Sequence, residues 1–244
     1  MKSALLKDTL REVKKSLGRF LSILAIVAIG VAFFAGVKAA VPDMKHTADQ
    51  YFDDYKLEDM QLISTIGFTQ DDVDAIKAVD GVEGVMAVHN MNALTIVDKR
   101  QLVLAVHGLP ADLSADNPDY LNQANLLAGR LPKHSGECLI EQGKIGSEIN
   151  VKIGDTIQLT SGTNVDISET LKTDTYKVVG ITLSPYYLSY QKGTTNIGSG
   201  TINNFMLIPD ESVSVVFHFG TDHPAPAWMH CTAPYLLSAG FHRL

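Results

Sequence analysis

The chain has 244 residues, carries a formal charge of −7 at neutral pH and is 45% hydrophobic by composition. This length allows one ordinary domain beside any membrane segment. The acidic balance argues against nucleic-acid binding, which needs a basic surface. The two cysteines, Cys138 and Cys231, lack the spacing of a metal or redox site, and whether they form a disulfide stays open.

The first nineteen residues are basic and periodic. Six basic and two acidic side chains give them a formal charge of +4. Leu6, Leu10, Val13 and Leu17 recur at helical spacing, which predicts an amphipathic helix over residues 1–19 on the cytoplasmic leaflet. The alternative is an accidental periodicity in a segment that merely flanks a membrane anchor.

An uncharged apolar run follows at residues 20–37. As a helix it spans about 27 Å, close to the hydrocarbon thickness of a bilayer. We therefore predict a transmembrane helix from Phe20 to Val41, with the basic N-terminus in the cytoplasm and the main domain outside the cell membrane. A cleaved signal peptide is the alternative, but the long apolar run and the long segment before it favour a retained anchor.

Three small residues lie four apart within this span, namely Ala28, Ala32 and Gly36. A row of small side chains lets a second helix approach closely, so we predict a candidate helix-packing face. Small residues are also common in membrane helices that have no such face. If the prediction holds, the span has partner helices in addition to membrane lipid.

The remaining sequence predicts an α+β domain over residues 42–208. Residues 42–58 resemble a helical stalk, and Thr69 with Asp72 predicts a capped helix that ends at Gly81. We also predict a turn at 98–100, a short helix near Tyr120 and a hairpin loop at 160–173. The predicted strands are residues 60–66, 82–89, 93–97, 101–107, 138–140, 149–153, 156–159, 176–183 and 205–208.

Several segments together resemble the FtsX/MacB-like permeases of ABC transporters. They are the leader and span REVKKSLGRFLSILAIVAIGVAFFAG and, later in the chain, GRLPKHSGECLI, KIGDTIQL and YKVVGITLSPYY. The resemblance covers roughly residues 1–208 and is carried by the order of these segments. More narrowly, the sequence is similar to the large multi-span permeases of this family in Gram-positive bacteria.

The resemblance implies a fold, a mechanism and partners. The exterior part is then a MacB-like core domain, and Gly129, Pro132, Gly136 and Gly154 are structural turn residues. The chain would use no cofactor and would itself be no enzyme. A separate cytoplasmic ABC ATPase would drive helix movements that reach the exterior domain, and further permease spans would be partners.

The sequence departs from this family after about Ser212. Residues 209–244 carry few charges and contain the only Trp, and no later apolar stretch is long enough to cross a membrane. We therefore interpret the chain as a truncated permease with an atypical tail that is frameshifted or otherwise aberrant. Its transported substrate and its oligomeric state are not readable from the sequence.

Three kinds of chemical site were considered and rejected. The tail holds His218, His223, His230, Cys231 and His242, whose spacing fits no common zinc pattern. The Gly-rich residues 192–200 lack the order of a phosphate-binding loop. His134 near Cys138 does not make a nucleophile with its base, so a buried structural thiol is expected.

Two functions remain open from the sequence. The first is a permease subunit that couples an ATPase to movement of the exterior domain. The second is a single-span, membrane-anchored extracytoplasmic binding or adaptor module. Tyr186, Tyr187 and Tyr190 suit either a contact surface or a core equally well.

Overall fold

The computed structural model describes residues 8, 11, 14–64, 68–142, 151–189, 191–214 and, by backbone alone, 235–241. The chain divides into two compact units, Met1–Tyr51 and Phe52–Leu244. The periodicity at Leu6, Leu10 and Val13 lies outside the described residues, as do Ile149, Tyr190 and the histidines of the tail.

Helix α1, Leu17–Asp54, holds the whole apolar run and continues through the predicted stalk. Its 38 residues are about 57 Å long, whereas a hydrocarbon core needs only about 30 Å. By length and composition it is the one helix in the described part of the chain that could cross a membrane. The helix does not end at Val41 but passes through Pro42.

The described residues of the second unit form one further α-helix and nine strands. Helix α2, Gln70–Lys77, begins with the predicted capping box, in which the Thr69 hydroxyl accepts from the Asp72 N–H and the Asp72 carboxylate accepts from the Thr69 N–H. The strands are β1 Met60–Ser64, β2 Val82–Val97, β3 Arg100–Leu109, β4 Asn125–Gly129, β5 Glu137–Glu141, β6 Thr156–Thr160, β7 Thr175–Leu183, β8 Asn204–Pro209 and β9 Tyr235–Phe241. The predicted α+β class is confirmed.

Six of these strands form a closed ring. Pairing runs β2–β3–β8–β5–β7 and returns to β2 through β6, which pairs with both β7 and β2. The β3–β8 and β5–β7 pairs are parallel, and the other pairs of the ring are antiparallel. The edge strand β4 pairs with β7 outside the ring.

Alternating side chains fill the inside of the ring. Leu104 from β3, Ile140 from β5 and Met206 from β8 belong to one buried cluster, in keeping with the two-residue period of a strand. The intervening residues point outward into a second cluster, where loop residues Tyr120 and Leu121 cover the sheet. Strands β3, β5 and β8 are therefore apolar on both faces.

Strand β2 belongs to two sheets. Its first half pairs with β9, up to His89 opposite Tyr235, and its second half pairs with β3 from Asn90 opposite His107. Asp210 marks this change of partner, since its carboxylate accepts from the His89 backbone N–H at 2.8 Å. Strand β9 in turn pairs with β1, so that β1, β9 and the first half of β2 form an outer sheet. Helix α2 packs on this outer sheet through Val73.

Some expectations from the sequence need correction. Residues 82–89 and 93–97 form one strand, because Asn90, Met91 and Asn92 keep the extended pairing with β3. The chain near Tyr120 forms turns, not a helix, and Val151 and Ile153 precede β6 without joining it. Asp98 and Lys99 do form the predicted turn, each with positive φ, as a tight hairpin requires.

The tail also contributes a strand that the sequence did not predict. We expected the strand at 205–208 to be the last, whereas Tyr235–Phe241 forms β9 between β1 and β2. The folded part also continues past residue 208, because Ser212 and Val213 are buried and Leu171 bridges to Val213. The sequence pattern of 235–241 is apolar without alternation, and the strand forms because two neighbours supply hydrogen-bond partners.

Candidate binding groove

A groove of about 830 Å³ lies within the second unit, beside the point where β2 changes partners. Residues from β1, β2 and β3 line it, together with the loop between β6 and β7 and the loop before β8. A volume of this size falls in the range of small-molecule sites, roughly 300–1,000 Å³. A smaller cavity of about 40 Å³ shares Asn90, His107, Tyr186 and Tyr187 with the groove.

His107 is the central residue of a hydrogen-bonded network in the lining of the groove. Its Nδ1 lies 2.8 Å from Asn90 Oδ1, and its Nε2 lies 2.7 Å from the Tyr187 hydroxyl. Burial lowers the pKa of His107 to about 4, so the ring is neutral at ordinary pH. A neutral ring with partners on both nitrogens fixes the positions of the amide and the phenol on either side of it.

A buried ion pair lies beside this network. Lys192 Nζ is 2.7 Å from Glu141 Oε1, and both side chains are almost fully buried. The ammonium also lies 5.0 Å from the Tyr187 ring centre and 5.5 Å from that of Phe205. The carboxylate and the two ring faces compensate the charge of the lysine, which would otherwise be expensive to bury.

The aromatic rings in this region hold one another in place. Tyr187 stacks on Phe205 with ring centres 4.9 Å apart, and Tyr186 meets Tyr187 edge-on at 4.8 Å. The Tyr186 hydroxyl accepts from the Gln61 amide at 3.2 Å. Tyr187 is thus a core residue, while Tyr186 is 38% exposed and faces the groove.

The predicted turn residues lie elsewhere in the same unit. Gly129, Gly136 and Gly154 all have positive φ, and Pro132 is buried. A Cβ on Gly129 would meet the Val179 carbonyl oxygen at 2.3 Å, so both conformation and space require glycine there. None of these four residues lines the groove.

An ion pair between two charged side chains stabilises this turn region. The Arg130 guanidinium makes a two-pronged contact with the Glu137 carboxylate. The Arg130 hydrogen bond, aided by the Lys133 N–H, lowers the pKa of Glu137 to about 2. Glu137 therefore holds this turn region together as an ion-pair partner of Arg130.

The predicted membrane residues lie in α1 and are described within that unit alone. Phe20, Ala28, Ala32, Gly36 and Val41 are all exposed on the helix. A Cβ on Gly36 would meet nothing within 4 Å. The helix-packing face stays a prediction.

Comparison with known proteins identifies the family. The profile of the MacB-like periplasmic core domain matches residues 20–226. The chain belongs to this family. The sequence resemblance to FtsX/MacB-like ABC transporter permeases is thereby confirmed.

Two solved structures are similar to this MacB-like chain. One is the extracellular domain of the noncanonic ABC-type transporter YknZ from Gram-positive bacteria, with 14% identity, a TM-score of 0.40 and coverage of 78% of this chain and 81% of that one. The other is the periplasmic region of MacB from Actinobacillus actinomycetemcomitans, with 9% identity, a TM-score of 0.36 and coverage of 69% and 63%. No curated protein matches the chain.

The thiol, phosphate and metal sites weighed from the sequence lack the geometry that each would need in this MacB-like domain. Burial and the nearby Glu137 charge raise the pKa of Cys138 to about 12, which makes its thiol a poor nucleophile. The Gly-rich loop leads into β8, not into the helix that a phosphate-binding loop needs. Among the described residues no group of three His, Cys, Asp or Glu side chains could hold a metal ion.

Sequence reasoning missed most of the groove. His107 and Glu141 end or extend predicted strands and look like ordinary surface residues, and Lys192 belongs to the Gly-rich segment 192–200. Their proximity depends on the ring closure, since Lys192 and Glu141 are 51 residues apart in sequence. The one available signal was the tyrosine cluster, for which both a core and a surface role stayed open.

Proposed function

We propose that this chain is a permease subunit of an ABC transporter of the FtsX/MacB-like type. In this proposal the exterior domain moves in response to ATP hydrolysis by a separate cytoplasmic ATPase. The observation that carries the proposal is the family match over residues 20–226, which includes the apolar run and every strand of the folded unit except β9. The chain itself would catalyse nothing and would act together with further permease spans.

The connection between helix and domain supports a mechanical role. Just after α1, the Lys56 ammonium donates to the carbonyls of Ala115 and Asn117 at 2.8 and 3.1 Å. Backbone bonds add to this, since the N–H groups of Asn122 and Gln123 donate to the carbonyls of Lys56 and Tyr55. A force on this segment would therefore reach the loop that covers the outer face of the ring.

The proposed orientation places the N-terminus in the cytoplasm. It is supported by the charge of +4 on the first nineteen residues, against a total of −7 for the chain. Single cysteines at Asp8 and Lys99, in a Cys138→Ala, Cys231→Ser background, allow a direct test. A membrane-impermeant maleimide should label Lys99→Cys but not Asp8→Cys in intact cells, or in spheroplasts if an outer membrane is present.

Coupling to an ATPase needs a second experiment. The tagged chain is purified in mild detergent from its own cells, and an ABC ATPase subunit should co-purify. ATP should then change the rate at which Lys99→Cys is labelled, and an ATPase with its Walker lysine replaced should abolish that change. Labelling that does not depend on nucleotide, in a complex that does hydrolyse ATP, would contradict the coupling proposal.

A membrane-anchored binding module is the second candidate function. The observation that favours it is the groove, one wall of which holds the hydrogen-bonded His107, Asn90 and Tyr187 and the buried Lys192–Glu141 pair. On that alternative the exterior domain binds its ligand without any ATPase.

A further inference from the structure

The groove is uncharged, although the chain carries a net charge of −7. Of the described residues that line it, only Lys192 bears a full charge, and its ammonium is paired with Glu141 at 2.7 Å. His107 is neutral for the reason given above. A charged ligand would lose its hydration here without gaining an opposite charge, so the groove favours a neutral one.

The other polar side chains of the lining are amides and hydroxyls. Asn90 and Asn92 come from β2, Ser161 and Thr163 from the loop between β6 and β7, and Thr194 and Asn196 from the loop before β8. Amide side chains both donate and accept, as hydroxyls do. Such a set matches a ligand that presents many hydroxyl groups.

The apolar part of the lining has the complementary character. It includes the ring of Tyr186, which is 38% exposed, and the side chains of Ile63, Met91 and Ile197. Tyrosine combines a flat apolar face with a polar tip, which suits the C–H faces and hydroxyls of a sugar ring. Contacts of Tyr186 with Tyr187, His107 and Gln61 fix the ring before any ligand arrives, which lowers the entropic cost of binding.

We propose that this groove binds an uncharged oligosaccharide, with sugar hydroxyls on Asn92, Thr194 and Asn196 and a sugar face on Tyr186. A saccharide fits better than an extended peptide, because peptide recognition by sheets uses main-chain groups of a strand edge, whereas these polar groups are side chains around a hollow. The inference does not depend on coupling to an ATPase, and the binding test contains none.

The test uses the full chain in a non-glycosidic detergent, because maltoside detergents would compete for the site. The probes are chitotetraose and cellotetraose, and saturation-transfer NMR measures binding. We expect at least one of them to bind, Tyr186→Ala and Asn92→Ala to weaken that binding about tenfold each, and Tyr186→Phe to retain most of it. Gln101→Ala, an exposed amide outside the groove, is the matched control and should bind as the unchanged chain does.

Charged and peptide probes complete the design. Tetragalacturonate and a fully protonated chitosan tetramer should bind at least tenfold more weakly than the neutral sugars, all measured at the same mildly acidic pH. Failure of both neutral tetramers, equal binding of the charged ones, or binding only of an uncharged Gly-Ser-Ala peptide would each overturn the proposal. In a Cys231→Ser background, the labelling rate of Cys138 in every variant shows whether the ring is still folded, since this thiol is fully buried.

Discussion

Breaking the buried ion pair should be far more costly than removing an exposed lysine. Lys192→Met leaves the Glu141 carboxylate in the interior without its ammonium partner at 2.7 Å. Truncating one member of a buried pair typically costs about 3–5 kcal/mol. In a domain of this size each kcal/mol lowers the melting temperature by about 2–4 °C, so we expect a loss of about 6–20 °C.

The assay is thiol labelling during a thermal ramp, with the chain in detergent. In a Cys231→Ser background the buried Cys138 is the only thiol, and it reacts only when the ring opens. Lys177→Met, at an exposed position of β7, is the matched control and should cost less than about 0.5 kcal/mol.

A double variant separates the stability cost of an unpaired buried charge from the cost of altered packing. Lys192→Met with Glu141→Leu removes both charges, and it should recover most of the stability that the single change loses. Equal melting temperatures for Lys192→Met and Lys177→Met would refute the reasoning. A double variant that is less stable than Lys192→Met would also contradict it, because the cost would then lie in packing.

Two further predictions concern a turn and a titration. Gly129→Ala should lower the free energy of unfolding by about 2 kcal/mol or more, whereas Gly154→Ala should lower it by only about 1 kcal/mol. Both positions need positive φ, but only a Cβ at Gly129 clashes with the Val179 carbonyl. The same labelling ramp measures both losses, and equal losses would contradict the clash. The folded-state pKa of His107 is about 4 against an ordinary 6.5, so the unfolded chain binds this proton first and stability falls as pH drops from 6.5 towards 4. His107→Gln should flatten that part of the stability curve, and an unchanged slope would show that other groups cause it.

Local structure was largely predictable because its causes are local. The capping box at Thr69 and Asp72 depends on residues three apart, and the hairpin at Asp98 and Lys99 lies between two alternating runs. The apolar run likewise defines a helix by length alone. In each case the interacting groups are neighbours in sequence.

The closed ring and the groove depend on distant pairings. Strand β6 closes the ring by pairing Leu94 with Thr160, and Lys192 meets Glu141 only after β5 and β7 are in place. Strand β9 shows the same limit, since tertiary pairing overrides a weak local pattern. No spacing in the sequence encodes these contacts, so the site could not be assembled from motifs.

The groove is lined by both the outer sheet and the ring, so a ligand bound there would respond to movement between them. Gln61 and Ile63 belong to the outer sheet, whereas Thr163 and Asn196 belong to loops of the ring, and all four line the groove. Strand β2 is shared by both, and Asp210 holds it where its pairing changes. A ligand that spans the groove would therefore bridge the outer sheet and the ring. Any movement between these two parts would alter the contacts of the ligand. Binding would in turn favour one arrangement of the outer sheet and the ring over others.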